Sequence, residues 1–550
     1  MEKAIEKYAL ENAVKFKGKA NPKALVGKIM GEFTEARENP KNTMEMINEI
    51  VSDVNKLSLD SQKEKLQELA PELLEKKEIK ERDIFSSLKV TSKVNTCFPP
   101  GVEKYPHIGH AKALMVNYLL AQKYNGKFFI RYEDTNPKLV KKEFYAIMEE
   151  NFKWLGVKWD KSFHASDYMD LYYELAEKMI NKNKAYVCTC EDVQESRKLG
   201  IACTCRSHTK KVNIDLWKDM FNQNEGYAIL RLKIDLKHKN STMRDPTIFR
   251  IIDEKHARTG TKYKVWPNYD FQNSVMDSHT DVDIRLRSKE FELRSELQRW
   301  IQKELGIRET STYEFARFNL TGVESSGRVI REKIEHGELL GWDDPSLTTL
   351  VALRRRGFQP KAIIDFLLST GITKNEATLT WDDLIMHNKR LLDEEAERYF
   401  FVEDPVEIVV KDAPEQKIKL KKNPNNEKGF REFKVKDTFL ISKLDYKNIK
   451  SKELIRLMDC LNFEKKGKEF VFNSLDYKGF KGKGKKIIHF LPNSDLIDVE
   501  ILMPDKKVVN GKGSKYLKNL KVGNVIQFER FGFCRLDRIL KTKLIFWFTH

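Results

Sequence analysis

Two histidines, His107 and His110, stand three positions apart with Gly109 between them, at the start of an apolar run. Imidazole N–H groups can hydrogen-bond phosphoryl oxygens as negative charge grows on them in a transition state. A glycine lets backbone approach a ligand, and the free N–H groups of a helix N-terminus favour an anion. Pro106-His-Ile-Gly-His110 therefore reads as a phosphate site, although the bare string equally describes two helix-capping histidines. A second group is Cys188, Cys190, Cys203 and Cys205. Two close thiol pairs across a short loop can supply the four tetrahedral ligands that Zn²⁺ takes, and a closed thiolate site is structural because no coordination position stays open. His208 is an alternative ligand, and four unliganded thiols are the other reading. Cys460 and Cys534 read as packing residues.

These residues need a scaffold. VTSKVNTCFPP reads as a strand broken at Pro99-Pro100, HIGHAKALMVNYLLAQKY as a helix, and KFFIRYED as a short strand ending in carboxylates. Strand, helix, strand is a βαβ unit and predicts a parallel sheet. Ligands bind beyond the carboxyl ends of such strands, where both His107–His110 and Arg131–Asn136 fall. Upstream, residues 1 to about 85 read as helices. Ile47, Ile50, Val51 and Val54 form one apolar stripe, Leu66, Leu69 and Leu73 belong to another, and the segment ends in the charged LLEKKEIKERD. Residues 340–400 are helical again. After Asp404-Pro405, alternating runs such as VEIVV, DTFLI and NVIQFERFGFCRL predict β-barrels, with a basic loop at Lys478–Lys486.

The chain has 550 residues, with 100 Lys+Arg against 82 Asp+Glu and a net charge of +18. Its 8 Trp, 18 Tyr and 32 Phe can fill several cores, which argues against disorder. No apolar run is long enough to span a bilayer, the N-terminus has no signal-peptide character, and seven cysteines make no disulfide framework. A reducing, cytoplasmic setting without membrane attachment is expected. The positive balance suits a nucleic acid, or simply a solvated Lys/Glu surface.

FPP…YPHIGHAKAL followed by RYEDTNP resembles the class I aminoacyl-tRNA synthetases, and within them the glutamyl/glutaminyl branch. Further ordered matches are Trp154-Leu155-Gly156, Ala165-Ser166-Asp167-Tyr168, Met243-Arg244-Asp245-Pro246, Trp266-Pro267-Asn268-Tyr269-Asp270-Phe271, Gly341-Trp342-Asp343-Asp344-Pro345, Leu353-Arg-Arg-Arg-Gly357 and VGNVIQFERFGFCRLD at 522–537. The resemblance covers about 90 to 550, and the helical leader is similar to the archaeal glutamyl type. It implies a multidomain chain: a helical appendage at 1–88, a Rossmann-type catalytic domain at 89–335 with a Cys-rich acceptor-end insertion at about 185–245, a helical connecting domain at 336–402, and anticodon-binding β-barrels at 403–550. It implies ATP-dependent, Mg²⁺-assisted ligation of glutamate to its tRNA, with the glutamine tRNA left open. His107, Gly109, His110, Ser326 and Arg328 would meet ATP, the two histidines and Arg328 acting in catalysis. Glu133 would meet the α-amino group, Tyr269 and Asn273 the amino-acid pocket, and Arg287 the substrate carboxylate. Arg354, Arg355 and Arg356 would meet the tRNA backbone, and the four cysteines would hold structural zinc. A monomer is expected.

Three positions depart from the family's pattern. Cys97 stands where an arginine contacts the amino acid, Val102-Glu103-Lys104 replaces a Gly-containing turn, and Gly327 replaces the lysine of the second signature, Val323–Arg328. A thiol cannot pair with a carboxylate, and a phosphate clamp carries roughly 10²-fold in rate. Lys104, Arg285 and Arg328 are the neighbours that would supply the missing charge. The alternatives are a glutaminyl-tRNA synthetase, disfavoured because an arginine prefers a carboxylate to an amide, a catalytically degenerate tRNA-binding paralogue, and a nucleotidyltransferase sharing the His-x-Gly-His signature, which length and barrels disfavour.

Overall fold

The structure, a computed structural model, describes every residue except Lys17, 74–82, Lys89, Thr91 and Ser325. Most of the charged stretch LLEKKEIKERD lies outside the described residues. The chain forms two compact units, Met1–Asp83 and Ile84–His550. In the first, helices Glu2–Lys15, Pro22–Glu32, Pro40–Lys56 and Leu59–Leu69 enclose Ile5, Leu10, Leu25, Ile29, Ile47, Val51, Val54 and Leu66. Leu69, expected in the stripe, is 42% exposed, because Ala70 takes the inward position one turn after Leu66.

The second unit contains the expected parallel sheet. Strands β1 (Thr96–Phe98), β2 (Phe128–Tyr132) and β3 (Lys161–His164) pair in that order, and helix α1 (Ile108–Lys123) crosses from β1 to β2. Helix α2 (Tyr269–His279) leads into β4 (Ile284–Ser288), and α3 (Glu292–Leu305) connects β4 to its parallel partner β5 (Ser311–Phe315). The Asp283 and Ile284 amides both donate to the Asn95 carbonyl, at 3.0 and 3.4 Å, which sets β4 against β1 on the side away from β2. The chain therefore winds one way from β1 and the other way from β4, leaving a crevice where the directions part. β1 and β2 are buried at every residue, which is why they read as apolar runs without alternation.

An antiparallel sheet of Ala185–Cys188, Ile229–Leu232, Thr247–Ile251 and Val265–Pro267 is inserted before α2. Helices α4 (Gly327–Glu335) and α5 (Leu350–Arg356) follow β5. Beyond Glu397 come two seven-stranded sheets, one cored by Phe439, Phe463 and Phe490 and the other by Phe528, Leu536 and Phe546. No helix among the described residues is long and apolar enough to cross a membrane.

The arginines of α5 correct one expectation. Arg355 grips Asp343 at 2.5 Å and Asp537 at 2.8 Å, its guanidinium 4.0 Å from the centre of the Trp547 ring. Arg356 is buried, donating to the carbonyls of Pro345 at 3.0 Å and Thr549 at 2.7 Å. Both join the helical segment to the C-terminal sheets, so their donors are engaged within the protein and not held free as a basic patch. Arg354 is half exposed and pairs with Glu150 at 2.6 Å. Arg355→Met removes the closest partner of buried Asp537, leaving Arg535 and Arg538 each at 3.6 Å, and is expected to lower stability by about 1–2 kcal/mol. Urea unfolding checks this, and an unchanged midpoint would refute the clamp.

Candidate active site and metal centre

The crevice opens into a cavity of about 1300 Å³ lined from β1, the N-terminus of α1, the end of β2, α2, β4 and the cysteine insertion. His107 is the N-cap of α1. Its Nδ1 accepts from the Gly109 amide at 3.1 Å, and the His107 amide donates to Nδ1 of His110 at 3.2 Å. The helix-cap reading is thus satisfied, and the cap bonds use the Nδ1 atom of each ring. Because each Nδ1 accepts, each Nε2 carries the proton, and no described residue takes either Nε2–H. Burial, with Lys104 and Arg317 adding repulsion, pushes His107 down to about 3. Burial, then His107 and Lys104, hold His110 well below the usual range. Both rings, 4.0 Å apart, are neutral N–H donors lining the cavity. Gly109 matters here for a different reason than the one expected: a β-carbon would lie 2.9 Å from Cε1 of His107 and displace the ring.

A buried polar cluster forms the opposite wall. Arg131 donates from Nε to Glu133 Oε1 at 2.7 Å and from NH1 to Asp277 Oδ1 at 2.6 Å. Arg285 pairs with Asp277 Oδ2 at 2.7 Å and also donates to Asn273 Oδ1 and to Gln298 Oε1, the latter at 2.8 Å. Glu133 Oε2 is buried and has no hydrogen-bond partner among the described residues. Burial raises the Glu133 pKa against the opposing pull of Arg131. Arg287 donates to Gln298 Oε1 at 2.9 Å and to Ser295 Oγ, but no carboxylate pairs with it among the described residues, and its Nε is unsatisfied. Burial first, then Arg285, lowers Arg287 to about 10. A buried guanidinium on a cavity wall has the fork of donors that can hold a carboxylate bidentately. Tyr269 lines the same wall, its ring 5.7 Å from Phe291.

Asn273 corrects its expected place. It is fully buried behind this wall, bonding Glu133 at 3.4 Å as well as Arg285, and does not line the cavity. Arg285, expected only as a substitute, is central. Its signal was the alternation of β4, which puts residues 285 and 287 on one face. Asp277 and Gln298 carried no sequence signal. Ser326 and Arg328 are not brought to the cavity. Ser326 caps α4, accepting from the Val329 amide at 3.5 Å, and Arg328 is 81% exposed, 3.7 Å from Glu332. Cys97 sits between Phe129 and Val282, its thiol pushed up to about 12 by burial, and does not face the cavity.

The remaining motifs are struts. Asp134 accepts from the Ser166 amide and hydroxyl, both at 2.8 Å, and from Tyr145 at 2.7 Å, fixing the loop that follows Glu133. Trp342 stacks on Tyr105 at 5.2 Å, and the Ile108 amide donates to the Thr348 carbonyl at 3.0 Å, so Gly341–Pro345 and the residues after it hold the start of α1.

The four cysteines converge. Their Sγ atoms all lie within 4.8 Å of one another, Cys188 to Cys203 at 3.8 Å and Cys190 to Cys205 at 3.7 Å. Tetrahedral zinc with Zn–S near 2.3 Å requires sulfurs about 3.8 Å apart, so the quartet fits that ion. Arg231 NH1 lies 3.9 Å from both Cys188 and Cys203, an N–H partner for thiolates. His208 is not among the converging ligands.

Residues 93–394 match the family described as "tRNA synthetases class I (E and Q), catalytic domain", and residues 396–475 and 487–537 match two families described as their anti-codon binding domain. "Glutamate--tRNA ligase" of Pyrococcus furiosus is 39% identical over 571 residues, covering 100% of each chain. The protein of that name from Pyrococcus abyssi is 39% identical, again over 100% of each. That of Methanocaldococcus jannaschii is 37% identical over 98% of each.

Proposed function

We infer that this chain, which belongs to the class I tRNA synthetases (E and Q), ligates glutamate to tRNA using ATP. The observation that carries the choice of amino acid is Arg287, a buried guanidinium on the cavity wall with hydroxyl and amide partners but no acid. A carboxylate neutralises it, whereas the amide of glutamine leaves the charge uncompensated. The free Glu133 Oε2 takes the substrate ammonium, and Tyr269 closes the pocket between the two. The α-carboxylate oxygen then bonds to the α-phosphorus of ATP, the bond to the bridging oxygen breaks, and pyrophosphate leaves. His107 and His110 direct two neutral Nε2–H groups at the phosphates and give up no proton. The acyl group passes next to a hydroxyl of the terminal adenosine of tRNA, and AMP departs.

Mg²⁺ screens the nucleotide's phosphates. We read Mg²⁺ as carried mainly by the phosphates of ATP, as is usual for this ion. Cys188, Cys190, Cys203 and Cys205 hold Zn²⁺ in a closed site that is structural. In the C-terminal sheets, exposed Lys478, Lys481, Lys483 and Lys485 offer phosphate contacts, whereas Lys486 is tied to Asp445 at 2.6 Å. The setting is cytoplasmic.

The test is tRNA-supported ATP–pyrophosphate exchange with glutamate and with glutamine. Exchange only with glutamate supports the reading. Preference for glutamine moves the chain to the other branch, and no exchange with either, alongside tRNA binding, makes it a degenerate paralogue. For zinc, native mass spectrometry is expected to find one ion per chain, and Cys188→Ser with Cys205→Ser to remove it and melt the insertion several degrees earlier, about 1–2 kcal/mol. A metal-free native mass would refute the site.

A further inference from the structure

Among the described residues, no acid forms an ion pair with Lys104. It lines the cavity beside His107 and also the adjoining recess formed with Tyr105, Gly327 and Trp342. Glu103 and Glu290 influence its charge, but neither forms an ion pair with it among the described residues. Burial, with Arg317 and Arg331, works against the protonated form. A partly buried ammonium beside two N–H-donating imidazoles, with Arg317 on the same cavity, is an environment built for a polyanion.

The stem of Lys104 lies in the space that a side chain at residue 327 would enter. A β-carbon there would meet Lys104 Cδ at 2.9 Å and Cβ at 3.4 Å. The lysine at 104 and the glycine at 327 are therefore two halves of one arrangement. Of the cations near this turn, Arg328 is directed to solvent and Arg331 donates to the Gly327 carbonyl at 3.2 Å.

We propose that Lys104 is a catalytic residue that binds the β- and γ-phosphates of ATP and stabilises the departing pyrophosphate, and that Gly327 exists to admit it. This rests on the ATP-dependent ligation proposed above. As the glutamate oxygen bonds to the α-phosphorus, the electron pair of the breaking bond leaves on the bridging oxygen. Lys104 meets that charge as a fixed point cation, remains protonated and transfers nothing.

The test is tRNA-supported pyrophosphate exchange. The wild type must first exchange with glutamate, and failure there would overturn the ligase reading and this proposal together. Lys104→Met keeps the stem packed on Gly327 and removes only the charge. It is expected to lower kcat by about 10²-fold, with KM for glutamate within about twofold and an unchanged melting temperature. Lys104→Arg is expected to keep about a tenth or more of wild-type kcat. A methionine variant within about threefold of an active wild type would overturn the proposal. The exchanged pair is independent of that variant's folding: Lys104→Gly should be slow, and Lys104→Gly with Gly327→Lys should recover about tenfold by returning the cation from the other side of the contact. No recovery in a folded double variant would count against a role for the charge.

Discussion

Arg287→Met is expected to lower kcat/KM for glutamate by about 10³-fold in tRNA-supported pyrophosphate exchange, while the far weaker use of glutamine changes by less than about tenfold. The effect is large because the guanidinium is buried and meets no acid until a carboxylate arrives. Burial and the neighbouring Arg285 already pull its pKa down to about 10, so the empty pocket holds the charge at an energetic disadvantage that substrate relieves. Truncating one partner of such a pair costs roughly 2–5 kcal/mol, most of it the desolvation of the stranded substrate carboxylate. Damage to the scaffold should be small. Gln298 keeps Arg285 at 2.8 Å, and the Ser295 hydroxyl keeps Glu314 at 2.8 Å. Equal losses for the two amino acids would show that Arg287 supports the wall and does not read the substrate.

His107→Asn is expected to reduce exchange by about 10²-fold or more with little change in stability. Asparagine caps a helix as well as any residue, so the acceptor for the Gly109 amide survives while the Nε2–H donor is lost. The same geometry predicts the pH dependence. With its folded pKa lowered to about 3, His107 is neutral wherever an ordinary histidine would titrate. Exchange should therefore show no limb near pH 6.5 that belongs to this residue. For stability the sign is opposite to that of a paired histidine. The unfolded chain binds a proton below the ordinary value of 6.5 and the folded one does not until about 3, so stability falls as pH drops through that window. The asparagine variant should lose less stability across the same range. An activity limb near pH 6.5 that the substitution abolished would mean that His107 works as an imidazolium, against the tautomer its hydrogen bonds impose.

Much of the frame was legible in the sequence because it is written in short-range patterns. A strand-like stretch that breaks at Pro99-Pro100, a helical run and the short strand of KFFIRYED announce a parallel βαβ unit, since that order of elements is local. Two close thiol pairs separated by a short loop suggest a four-sulfur centre, because a short loop can bring its two ends together, and here the four Sγ atoms do converge. The alternation after Asp404 announces sheets for the same local reason. His107 and His110 were found because their ring partners, the Gly109 and His107 amides, lie only two or three residues away.

Tertiary structure alone decided which side chains of each motif face the cavity. Tyr269 and Asn273 lie one turn apart on α2, yet the first lines the pocket and the second is sealed behind it by Glu133 and Arg285, residues remote in sequence. Arg328 sits one residue past Gly327 and faces water, while Lys104, far upstream, occupies the space that glycine leaves. Arg355 and Arg356 read as a basic patch until Asp537 and Thr549, almost 200 positions later, fold back to take their charge and donors. Local periodicity sets what each segment becomes. A charge's role depends on which distant acid or carbonyl is packed against it, and that is settled only when the long-range contacts close.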